Sequence, residues 1–125
     1  MSRKELFTEI NSLCREMDDK YSINYGGCCY VAAVIAENLK RFNIPFKVIE
    51  YFSPCHYVVE VSDRQLNGIP ECSKGKCCFE YVDEDINLFD LYYSEDWNCT
   101  YSRRWNLIVI TRITALFNKY GNTRK

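Results

Sequence analysis

The sequence predicts an α+β domain, with two helices, then short antiparallel strands, then a further helix. Three observations predict it. Apolar residues recur at helical spacing at both ends of the chain: Leu6, Ile10, Leu13, Cys14 and Met17 near the start, and Leu107, Ile110, Ile113, Leu116, Phe117 and Tyr120 near the end. Between residues 46 and 82 this period gives way to β-branched and aromatic runs divided by turn residues. Helical and strand patterns do not alternate, which excludes a doubly wound parallel sheet. A length of 125 residues fits one domain over 1–125.

The first helix is predicted over Ser2 to Lys20. Tyr25-Gly26-Gly27 breaks the pattern, because glycine permits a tight approach into the next element. A second helix follows from Cys28 to about Phe42. Val31, Ala32, Ile35, Ala36 and Leu39 form its stripe, and Glu37, Lys40 and Arg41 face out. Asn43-Ile44-Pro45 ends it. Phe46 to Phe52 reads as a strand, Ser53-Pro54 as a turn, and His56 to Val61 as the clearest strand. Ser62-Asp63-Arg64 turns the chain into a short returning strand, Gln65 to Ile69, so that the pair forms a hairpin. Pro70 to Lys76 is a loop, Cys77 to Val82 a further β segment, and Ile86 to Tyr93 a short helix or irregular insert. Ser102 to Tyr120 is helical, with Gly121 as its C-terminal cap and a frayed tail beyond.

Hydrophobic residues make up 47% of the chain and charged residues 26%, with a net charge of −1. This balance excludes broad disorder and disfavours an electrostatic grip on nucleic acid. No apolar run approaches the ~20 residues that span a bilayer, so no membrane partner is expected. Met1-Ser2-Arg3-Lys4-Glu5 is polar and lacks a signal-peptide apolar region, which points to the cytoplasm, or to a host cytoplasm for a viral source. In that compartment the eight cysteines read as thiols, ligands or a nucleophile, and no disulfide is expected to be needed for folding.

Cys28 follows two glycines at a helix start, near free backbone N–H groups and the positive end of the helix dipole. Those features lower a thiol pKa, and an imidazole would lower it further. His56, the one histidine, opens a strand directly after a turn. A thiol at a helix start and an imidazole on a strand are the parts of a thiol nucleophile. A third group should hold the other ring nitrogen. Counting back through the turn after Val61 places Asn67 beside His56, with Asp63 as the alternative.

Gly27-Cys28, Ala32, Leu39 and Ile44-Pro45, followed by an apolar strand, resemble the nucleophile segment of transglutaminase-like proteins. His56-Tyr57-Val58-Val59-Glu60-Val61 is similar to the strand that carries their histidine. The resemblance covers about residues 26 to 68. It implies a papain-like core, a nucleophile helix packed on a small antiparallel sheet, with the other helices flanking it. It also implies Cys28, His56 and Asn67 as the catalytic residues. Where that family carries an aspartate further along, this chain has Glu71 in a loop, whereas Asn67 resembles the papain variant. Cys29-Tyr30 resembles papain's Cys-Trp step, which leaves Cys29 as the alternative nucleophile. The two cysteines differ by ~100° around the helix, so only one can face His56.

Cys72, Cys77 and Cys78, with Cys55, Cys99 or His56, offer a zinc alternative, but one x₄ spacing and an adjacent pair match structural zinc poorly, so no metal or cofactor is assigned. Tyr92, Tyr93, Trp97, Tyr101 and Trp105 read mainly as a cap on the core, and Arg103, Arg104, Lys74, Lys76, Arg124 and Lys125 as solvated charge. The function expected from these residues is a cysteine-dependent hydrolase or acyltransferase of a bacterium or phage, acting on a peptide, isopeptide or side-chain amide. The alternatives are a non-catalytic protein-binding module on the same scaffold and a zinc-stabilised interaction domain.

Overall fold

The computed structural model describes residues 1–94 and 105–123. Helix α1 runs from Arg3–Tyr21. Its start is a capping box: the Ser2 hydroxyl accepts from the Glu5 N–H at 3.1 Å, and the Glu5 carboxylate accepts from the Ser2 N–H at 3.4 Å. The predicted stripe is buried, joined by Phe7. Helix α2 spans Cys28–Arg41, and every residue from Cys28 to Ala36 is buried. It packs against the sheet on one side and against both later helices on others. Glu37, Lys40 and Arg41 are exposed, as the pattern predicts.

Gly27 has an ordinary negative φ; what excludes a side chain there is space. A Cβ would overlap the Trp105 ring and the Ile23 carbonyl. The glycine therefore lets Trp105, itself buried, close over the start of α2.

Strands β1 (Lys47–Phe52), β2 (Cys55–Val61), β3 (Arg64–Leu66) and β4 (Phe79–Tyr81) form one sheet in the order β3-β2-β1-β4. All three pairings are antiparallel, with Val48 opposite Val59, Tyr51 opposite His56, and Val59 opposite Leu66. Alternation gives the sheet two buried faces. Val48, Tyr57, Val59, Val61 and Leu66 join the helices in the main core. Ile49, Tyr51 and Val58 form a second cluster with Cys72, against which Ile69, Cys77 and Phe79 pack. Because β3 and β4 are opposite edges, the chain from residue 67 to 78 crosses this second face and covers it.

Four elements differ from expectation. Strand β4 covers only Phe79–Tyr81 of the predicted Cys77 to Val82. β3 stops at Leu66 instead of Ile69, because Asn67 turns the chain at φ 62°. Helix α3 covers Leu88–Ser94, later than predicted, because the Asn87 side chain accepts from the Asp90 N–H at 3.1 Å and starts the helix there. Helix α4 spans Asn106–Thr123, so Gly121 lies within it and does not cap it. A Cβ on Gly121 would meet the Phe42 ring at 2.7 Å, and this close approach accounts for the glycine. Trp97, Tyr101, Ser102, Arg103, Arg104, Cys99, Arg124 and Lys125 lie outside the described residues.

The Gly27 contact yields a prediction. Gly27→Ala must displace Trp105 and costs about 1–3 kcal/mol. Gly75→Ala meets nothing within 4 Å and stays within about 0.5 kcal/mol. Urea unfolding midpoints of the two variants check this, and equal midpoints would refute it.

Candidate functional site

Cys28 is the first residue of α2, and Gly27 provides no side-chain cap. Its thiol lies against the backbone N–H groups of its own turn and of Tyr57 in β2, the residue after His56. The helix start predicts a depressed pKa, and these amides do act in that direction. Burial outweighs them. The side chain is 2% exposed, and desolvation, with the nearby Cys55 thiol adding to it, pushes Cys28 up to about 11. The thiol is neutral at pH 7. Cys29 is also buried and donates to the Leu88 carbonyl at 3.5 Å, toward α3. Of the two cysteines, Cys28 is therefore the one against the amide next to His56.

His56 is 1% exposed, and its Nε2 lies 2.7 Å from the Asn67 carbonyl. A carbonyl only accepts, so Nε2 carries the hydrogen and Nδ1 is the bare nitrogen of the neutral ring. Burial lowers the imidazole pKa from its ordinary 6.5, while the carbonyl, Asp18 and Glu71 push it back up. The ring is neutral near pH 7.

Asn67 thus meets His56 through its backbone, not its amide. Its side chain is engaged elsewhere: Nδ2 donates to Asn24 Oδ1 at 2.8 Å, and Asn24 Nδ2 returns a bond at 3.3 Å. The Asn67 N–H donates to Asn11 Oδ1 at 2.8 Å, and Asn11 Nδ2 reaches the Gln65 carbonyl at 3.1 Å. Asp18 accepts from the Asn24 N–H at 2.9 Å. This network holds Asn67 in the left-handed region, which asparagine tolerates better than most residues. Sequence reasoning missed Asn11, Asn24 and Asp18. The available signal was a set of short polar residues bordering the apolar stripe of α1 and the Gly-Gly turn.

Among the described residues, Cys28 and His56 share no hydrogen bond. His56 stands opposite Tyr51, which belongs to the second-face cluster, whereas Tyr57 belongs to the α2 core. Asp63 is exposed in the turn at the far end of β2. No group of three or more His, Cys, Asp or Glu among the described residues is placed to hold a metal ion. No helix among them is long and apolar enough to cross a membrane. Tyr92 and Trp105 are buried, as a capping role requires, while Tyr93 is exposed. Lys74 is tied to Glu60 and to the Tyr81 hydroxyl.

A larger feature carried no sequence motif. A cleft of about 910 Å³ lies between α2 and the segment 81–89. Ala33, Ala36, Ile44 and Val82 contribute apolar lining, and Asp83, Glu84 and Asp85 line it as three consecutive exposed carboxylates. None of these three is in an ion pair among the described residues.

His56 yields a pH prediction. Its folded pKa lies below the unfolded 6.5, so the unfolded chain binds the extra proton between the two values. The stability it contributes is complete above about pH 6.5 and is lost as pH falls through the folded pKa. As the chain has one histidine, urea midpoints between about pH 7 and 5.5 should fall in the wild type and flatten in His56→Gln. An unchanged slope in that variant would contradict the assignment. No family model matches the chain, and comparisons with curated proteins and with solved structures gave no match.

Proposed function

We propose that this chain is a non-catalytic protein-binding module on a papain-like scaffold. The observation that carries this reading is the state of Cys28, a thiol 2% exposed, raised to about 11, with no hydrogen bond to His56. A nucleophilic cysteine needs thiolate and access, and burial opposes both. The Asn67 amide bonds Asn24, and the Asn67 backbone carbonyl, in place of the amide, holds the His56 ring. The scaffold reading rests on the order of cysteine helix, Ile44-Pro45, strand and histidine strand, which fits the observed α+β arrangement. Binding is assigned to the cleft beside α2. Its apolar lining and its excess of carboxylates, Glu37, Asp83, Glu84 and Asp85 against Lys40 and Lys47, suit a peptide segment of a partner protein that carries both lysine or arginine and apolar side chains.

Two experiments test this. Alkylation at pH 7, mapped by mass, should label Cys28 about 100-fold more slowly than an exposed thiol. Rapid labelling of Cys28 that drops in His56→Ala would replace the module with the hydrolase or acyltransferase built on Cys28, His56 and Asn67. Panning a random peptide library against the chain should enrich sequences combining basic and apolar residues, and Asp83→Lys with Asp85→Lys should abolish that enrichment. Enrichment that survives the charge reversal would remove the cleft from the proposal.

A further inference from the structure

The crossing segment between β3 and β4 carries a pair of cysteines that the proposed binding cleft does not use. Cys72 is buried under it, in the cluster with Ile49, Tyr51 and Val58, and Cys77 packs against the same cluster while half-buried. The N–H groups of Lys76 and Cys77 both donate to the Ser73 carbonyl, at 3.1 and 2.9 Å, so the chain folds back on itself between the two cysteines. The Cys77 sulfur lies 3.0 Å from the carbonyl of Glu71, at the peptide directly preceding Cys72. The Cys72 thiol contacts the Pro54 carbonyl at 3.5 Å, which fixes it over the β1–β2 turn.

We propose that Cys72 and Cys77 are a thiol–disulfide switch, closed by exchange with a small-molecule disulfide of the glutathione class. Cys77, the more accessible of the two, attacks as thiolate. A Cys77–glutathione bond forms, the glutathione S–S bond breaks, and one glutathione thiolate leaves. Cys72 then loses its proton and attacks the Cys77 sulfur, forming the intramolecular bond and expelling the second glutathione. The two protein thiols give up two electrons and two protons, and the disulfide is reduced to two thiols. The order follows from burial, which together with the adjacent Cys77 pushes Cys72 up to about 11 and makes it the resolving thiol. Closure ties off the turn that holds Lys74, whose ammonium reaches Glu60 and Tyr81 on the sheet beneath. The bond fixes the covering segment on the second face.

The sequence makes the test direct. Trypsin cuts after Arg64, Lys74 and Lys76, so it separates Cys72 from Cys77. The full chain is incubated with oxidised glutathione, alkylated and digested without reductant. The expected product is the peptide Gln65–Lys74 cross-linked to the peptide that begins at Cys77. It should disappear with dithiothreitol and in Cys77→Ser, and persist in Cys78→Ser. Cys55 is also close enough to Cys72 to compete. A cross-link from Cys72 to the Cys55 peptide would overturn the pairing. Separate glutathione adducts, or free alkylated Cys72 and Cys77, would overturn the switch.

Discussion

Helix α2 is apolar on every side until its first charge at Glu37, and a helix of that kind is stable only when covered on every side. The sheet covers it from one direction, and α3 and α4 from others. The small residues Ala32, Ala33 and Ala36 allow that close approach, all of them buried. Tyr30 takes the remaining space through an edge contact with Phe89 and a tilted contact with Tyr92, with ring centroids 5.6 and 5.1 Å apart. That covering follows from a helix that offers water no polar face between Cys28 and Ala36.

The same requirement decides the chemistry at the helix start. Two effects compete at Cys28. The helix terminus favours an anion by roughly 0.3–1 kcal/mol in exposed settings. A rise of the thiol pKa from an ordinary 9.0 to about 11 corresponds to about 3 kcal/mol against the anion, after the amides have contributed. Desolvation therefore wins. Trp105 closes over Gly27, and Cys28 lies in the same buried cluster as Trp105 and Tyr57, so the packing that secures the helix also buries the thiol. Opening the site would expose part of the core that α2 anchors.

Much of this architecture is legible in the sequence. Leu6, Ile10, Leu13, Cys14 and Met17 mark the buried side of α1 by spacing alone, and the β1–β2–β3 meander follows from β-branched runs divided by Ser53-Pro54 and Ser62-Asp63. What is less legible depends on contacts distant in sequence. Gly121 reads locally as a helix cap, and only the position of Phe42 shows it to be a contact glycine. Asn67 is identifiable as a neighbour of His56 by counting residues through a turn. Its mode of contact is not, because every residue carries a carbonyl and residue type cannot reveal which one will be used. The cleft beside α2 is likewise assembled by the return of residues 81–89 to the helix, and no local pattern encodes it.

His56 then has a structural consequence that its chemistry alone does not suggest. A neutral imidazole donating to a carbonyl at 2.7 Å fixes the peptide of Asn67, and Asn11 and Asn24 fix its N–H and side chain. Each such bond contributes about 1 kcal/mol net, but leaving a buried member unpaired costs about 1–3 kcal/mol, so the set forms or fails together. Asn67 is where β3 ends and the chain departs across the second face. Its left-handed turn sets the direction of that departure. Ile69 and Cys72 reach Ile49, Tyr51 and Val58 only because the crossing begins there. The polar network between α1 and His56 therefore determines how the opposite face of the sheet is covered, and the placement of Cys72 beside Cys77 depends on it.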